Sequence, residues 1–193
     1  RQPLLLLGLA LLAACSDPKD MAGWAERAAS RNRLDEKLAA LAAARAAPGD
    51  RKAAVAPLSE VLKQAPRARQ QAAIILGEIG DPAAAKALTE ALDLGGKAER
   101  DVADANVAIA GALGALRARE AVPALVKAAR GQDAFTQVAA IDAHGAIGDA
   151  AAVEPLLAVA GDQDAPAFTR KKALLALGRL GDARAVPLVL SML

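Results

Sequence analysis

The chain has 193 residues, 54% of them apolar but only 2% aromatic, with no Tyr, one His and one Cys. Lysine and arginine number 24 against 22 acidic residues, a formal charge of +2, and the signs alternate along the chain without forming blocks. A nucleic-acid surface needs a basic stripe, and a single-strand binder adds aromatic stacking platforms; neither is present. Alanine fills more than a quarter of the positions. It is the best helix former and a poor strand former, so the composition points to an all-α chain with a thin core of closely approaching helices.

The first element is a leader. Pro3 to Ala14 is uncharged and strongly apolar, preceded by Arg1. About twelve residues are too few to span a bilayer but fit a secretory h-region. The run ends in Leu12-Ala13-Ala14-Cys15, followed by Ser16-Asp17-Pro18. This resembles the lipobox of bacterial lipoproteins, which implies a signal peptide over 1–14, lipidation of Cys15 and an envelope location facing the periplasm. Ser16, where Asp would favour the inner membrane, tips the resemblance toward the outer membrane. More than one acyl chain anchors a protein stably, whereas a single chain does not.

Residues 15–33 read as a tether. Arg27, Arg31, Arg33 and Lys37 lie beside Glu26, Asp35 and Glu36, the pattern of a solvated helix face. Beyond it the chain repeats. Four segments align on a central glycine: Ala72 to Asp81, Ile109 to Ala118, Ala140 to Asp149 and Ala173 to Asp182. Gly77 to Gly114 is 37 residues, Gly114 to Gly145 is 31 and Gly145 to Gly178 is 33. Three are followed by a second apolar run with a proline, at Pro123, Pro155 and Pro187, and Pro57 marks a degenerate first unit. A period of this size belongs to a repeat array.

Each unit reads as helix, tight turn, helix. Apolar residues at helical spacing, such as Leu174, Leu177 and Leu180, define the first helix. Gly80, Gly148 and Gly181 suit the left-handed residue that ends it, and Asp81, Asp149 and Asp182 suit the cap of the second. Arg117-Ala118 replaces this pair in one unit, which predicts a looser or differently capped turn. The internal glycines each cost about 1 kcal/mol of helix propensity, and their recurrence in one slot suggests close helix–helix approach.

At these residues the chain resembles the short HEAT-like repeats named after phycobilisome lyases, through Leu-Gly-x-Ile/Leu-Gly-Asp followed by Ala-Val-Pro-x-Leu. The likeness covers about residues 34–193 and implies an α-solenoid of about five helix pairs, near 34–64, 66–94, 98–130, 133–160 and 165–193. It implies the fold and little about activity.

Candidate chemistry is sparse. His144 falls in the slot held by Leu76, Leu113 and Leu177, so it is expected to be a semi-buried core residue bonded to a neighbour, with no second ligand to make a metal site. Asp162-Gln163-Asp164 lacks the remainder of a calcium loop, and Asp164 is expected to cap the helix running to Leu180. No phosphate loop, Cys–His pair or set of His–Glu pairs occurs, so no cofactor and no small-molecule substrate is expected. Ile74 and Leu175 share a slot with Asp142 and are either exposed partner contacts or packing for the next unit. The sequence thus reads as a lipid-anchored scaffold that binds a protein through its repeat surface. The rivals are an accessory domain of a larger envelope enzyme and an enzyme centred on His144. The apolar final run Val189-Leu190-Ser191-Met192-Leu193 lacks a helix stop, which predicts continuation past Leu193.

Overall fold

A computed structural model describes residues 18–95 and 99–190. The leader, Cys15 and Ser16 lie outside these. Every described element is helical: α1 (Met21–Ser30), α2 (Leu34–Ala46), α3 (Val55–Val61), α4 (Pro66–Ile79), α5 (Ala85–Glu90), α6 (Arg100–Ala115), α7 (Val122–Ala129), α8 (Ala134–Ile147), α9 (Val153–Gly161), α10 (Ala167–Leu180) and α11 (Val186–Leu190). Five helix pairs follow α1, at the positions expected from the repeat.

In each pair the first helix is long, 13 to 16 residues, and the second short, 5 to 9 residues. The long helices stack in chain order, α2 on α4, α4 on α6, α6 on α8 and α8 on α10. The short ones meet the turn of the following unit. Between the two layers runs one continuous core, with Leu58, Leu76, Leu88, Leu113, Leu125 and Leu156 fully buried among many alanines. Each such leucine contributes about 1.5–3 kcal/mol on leaving water.

The residues between α1 and Cys15 aside, the segment expected to be a tether is largely structured. Asp20 caps α1 by accepting from the Gly23 N–H at 2.8 Å, and Met21, Ala25 and Ala28 are buried. The helix packs on both α2 and α3. The Met21 N–H also donates to the Pro48 carbonyl at 3.0 Å. Its three buried residues recur at helical spacing, and covering the open side of the first unit is what the end of a solenoid requires.

The recurring glycine is a contact between units. A Cβ on Gly77 would lie 3.1 Å from the Ala112 Cα, and one on Gly114 would lie 3.2 Å from the Ala143 Cα. Gly145 repeats the relation with Ala176 at 3.4 Å. In all three, the glycine of one long helix faces the alanine two positions before the glycine of the next. Ion pairs add links at repeat spacing, Arg45 with Glu78, Arg67 with Asp101, Arg119 with Asp149, Lys172 with Asp142 and Arg184 with Glu154. Exposed pairs of this kind contribute about 1 kcal/mol at most.

The turns follow the same economy. Gly80, Gly148 and Gly181 take φ of 74°, 72° and 65°. Asp81, Asp149 and Asp182 each accept from the N–H two residues on, at 2.8–2.9 Å. What they cap is a single 3-10 turn, such as Pro82–Ala84, that leads into the short helix. The Arg117 turn is differently capped, as expected, and not looser: Ala118 stands where the other turns have Asp and makes no side-chain bond. Arg117 itself takes φ 51°, its N–H donates to Gly114 and the Ala118 N–H donates to Leu113, both at 3.1 Å. That is the Schellman pattern, closed by a residue that pays in strain for lacking a glycine's freedom.

Candidate partner-binding face

On four of the long helices, α4, α6, α8 and α10, outward residues lie at i, i+3, i+4 and i+7. On α4 these are Arg67, Gln70, Gln71 and Ile74; on α6, Asp104, Val107, Ala108 and Gly111; on α8, Phe135, Val138, Ala139 and Asp142; on α10, Phe168, Lys171, Lys172 and Leu175. None of the sixteen is fully buried. Val107, Phe135, Val138, Ala139 and Phe168 make an apolar area on this face, bordered by Arg67, Gln70 and Gln71 on α4 and by Lys171 and Lys172 on α10.

Phe135 and Phe168 are 68% and 61% exposed, so two of the three aromatic residues are left in water. They line one groove of about 340 Å³ together with Val107, Val138, Ala139, Pro166 and Asp142. Exposing two large aromatic rings beside such a recess is costly unless something covers them. Lys172 sits 5.8 Å from the centre of the Phe168 ring and donates to Asp142 Oδ2 at 2.7 Å. Arg179 reaches the other carboxylate oxygen at 3.9 Å. The groove therefore has apolar walls and a charged edge.

Ile74 and Leu175 occupy this same face. Ile74 is half-buried, whereas Leu175 is 52% exposed. Asp142, in the equivalent slot, is bound by two cations of the following long helix, so the slot borders the next unit. Leu175 has no further unit beside it among the described residues. The aromatic groove went unnoticed in the sequence, although its signal was there: Phe135 and Phe168 are 33 residues apart, the same step as Gly145 to Gly178.

His144 departs from expectation in degree. It is fully buried, and neither ring nitrogen has a hydrogen-bond partner. Burial drives its pKa down from 6.5 to about 4, with the Leu125 backbone opposing weakly. The ring is therefore neutral and sealed from solvent, without access to a substrate. Asp164 does not cap α10, whose N-cap is Pro166 with no side-chain bond; its own N–H donates to Asp162 instead. At the surface Asp182 is lowered to about 2 by its bonds to Arg184. That is a structural clamp, since Arg184 also holds Glu154 at 3.1 Å.

A further set of polar residues sits eight positions before each central glycine. Arg69 donates to the carbonyls of Ala91 and Gln64, Gln137 to Gly131, and Arg170 to Gln163 and Ala165. Asn106 both accepts from the Asp93 N–H and donates to its carbonyl. Each ties down the chain that enters its own unit, and Arg69 also the chain that leaves it, so these polar groups serve the scaffold. Among the described residues no three His, Cys, Asp or Glu side chains cluster as a metal site, and no helix is long and apolar enough to cross a membrane.

Five stacked helix pairs on one continuous core define an α-solenoid repeat protein. The HEAT repeats family matches residues 97–167 and 136–193, and the PBS lyase HEAT-like repeat matches residues 68–93. The chain belongs to the HEAT-repeat family. No curated protein matches it. HEAT repeats typically act as non-catalytic scaffolds for protein–protein interaction.

Proposed function

We propose that the protein is a lipid-anchored scaffold of the bacterial cell envelope that docks a protein partner on the outer face of its long helices. The observation that carries the docking face is the groove between Phe135 and Phe168, held on helices that close glycine–alanine contacts lock together. Ile74 and Leu175 would extend that face at its two sides. The anchor rests on Leu12-Ala13-Ala14-Cys15: Cys15 would carry the lipid, with Ser16 favouring the outer membrane. Rigid presentation lowers the ordering cost of binding, so a modest apolar contact suffices.

One experiment tests both halves. The chain with its leader is expressed in a Gram-negative host, with a photo-crosslinking residue at position 135, 168 or 175, and as a control at Lys86 in α5. Membrane partition, an acylated Cys15 by mass spectrometry and a discrete cross-linked protein from the three face positions are expected. Cys15→Ser should abolish acylation. An unmodified cysteine overturns the anchor, and equal cross-linking from Lys86 overturns the face.

A further inference from the structure

We propose that the groove between Phe135 and Phe168 seats an amphipathic segment of a partner protein, with its apolar side chains in the groove and its carboxylates against Lys171 and Lys172. This rests on the scaffold reading and narrows the partner.

Shape supports it first. A recess of about 340 Å³ is filled by protruding side chains, whereas a flat bilayer would leave it void and press the lining carboxylate of Asp142 into lipid. Charge supports it independently. Helix α10 carries Arg170, Lys171, Lys172 and Arg179 and no acidic residue. Asp142 answers Lys172 and Arg179, and Arg170 is turned to backbone carbonyls. Lys171, one helical turn from Phe168 on the same face, has no carboxylate partner among the described residues. The site therefore retains uncompensated positive charge at its edge, which a ligand carboxylate would meet at short range.

A second copy of this chain fits less well. In a contact of groove with groove, the one acid lining the groove, Asp142, is already bound to Lys172 and Arg179, so a second copy brings no free carboxylate there. A partner segment that carries its own free acids completes the pairing. Apolar anchors flanked by carboxylates, in a helix or an extended strand, have that chemistry.

The probe is a displayed library of random peptides about twelve residues long, panned on the full chain in mild detergent. Enriched peptides are then synthesised and titrated. Peptides combining large apolar residues with Asp or Glu are expected. Phe135→Ser with Phe168→Ser should weaken them about tenfold or more, since buried aromatic anchors dominate such contacts. Lys171→Glu, a fully surface change, should weaken them about fivefold at low salt and less at about 0.5 M salt, where exposed charges are screened. Leu34→Ser in α2 should change nothing. Basic peptides, indifference to the Phe and Lys171 changes, or no enrichment would overturn the proposal. So would vesicle flotation on phosphatidylcholine–phosphatidylglycerol that the double Phe change abolishes, or a dimer that it dissociates. None of these results touches the scaffold reading, which the cross-linking experiment decides by itself.

Discussion

Replacing His144 by Leu exchanges the one polar residue in its slot for the residue that three other units use there. Leu76, Leu113 and Leu177 are each at most 1% exposed, and His144 is equally buried. At pH 7.5 the imidazole is neutral but leaves two nitrogens without partners, and an unsatisfied buried polar group costs about 1–3 kcal/mol. His144→Leu should therefore raise stability by about that amount, or roughly 2–4 °C in Tm per kcal/mol for a chain of this size. The pH dependence is the sharper test. A histidine whose pKa falls from 6.5 to about 4 on folding binds its proton more readily in the unfolded chain. Its neutral-state stability is then full above pH 6.5 and is lost as the pH drops toward 4. At 1.36 kcal/mol per unit, about 2 kcal/mol disappears between pH 7.5 and 5.0, before most carboxylates titrate. Leucine has nothing to protonate. Urea melts of both proteins at the two pH values should show the Leu variant's advantage widening by about 2 kcal/mol on acidification. A variant less stable at pH 7.5, or an advantage equal at both, would refute the buried, unpartnered histidine.

Two further expectations concern the backbone. Arg117→Gly should stabilise by about 0.5–1 kcal/mol, because relief of left-handed strain exceeds the entropy that glycine adds to the unfolded chain; denaturant midpoints with an unchanged m-value check it, and a loss of stability would deny the left-handed Arg117. Gly114→Ala and Gly111→Ala should move in opposite directions although both residues lie in α6. A Cβ at Gly114 meets the Ala143 backbone at 3.2 Å, whereas one at Gly111 meets nothing within 4 Å. Gly111→Ala should gain about 0.5–1 kcal/mol of helix propensity, Gly114→Ala should lower Tm, and equal gains at both would disprove the close approach of α6 and α8.

The sequence by itself determined the local features of the repeat. Alanine content set the helical class, the leucine spacing set the buried faces, and the Gly-Asp pairs set where one helix stops and the next begins. Each of these is dictated within about ten residues of chain, where helix geometry and cap chemistry leave little choice. Only the tertiary structure decided matters that depend on the neighbouring unit. Gly77, Gly114 and Gly145 became contacts because an alanine of the next helix arrives there. Asp142 became an ion-pair partner because α10 brings two cations to it. Residues 21–30 became a cap because the first pair leaves a side uncovered. His144 ended fully buried with neither ring nitrogen bonded, because α7 brings the Leu125 backbone toward the ring without closing a hydrogen bond. Phe135 and Phe168, ordinary surface aromatics in the linear chain, became the walls of one groove because a 33-residue step in a solenoid returns a side chain to the same place on the adjacent helix. Periodicity fixes which slot a residue occupies, and stacking fixes what that slot touches.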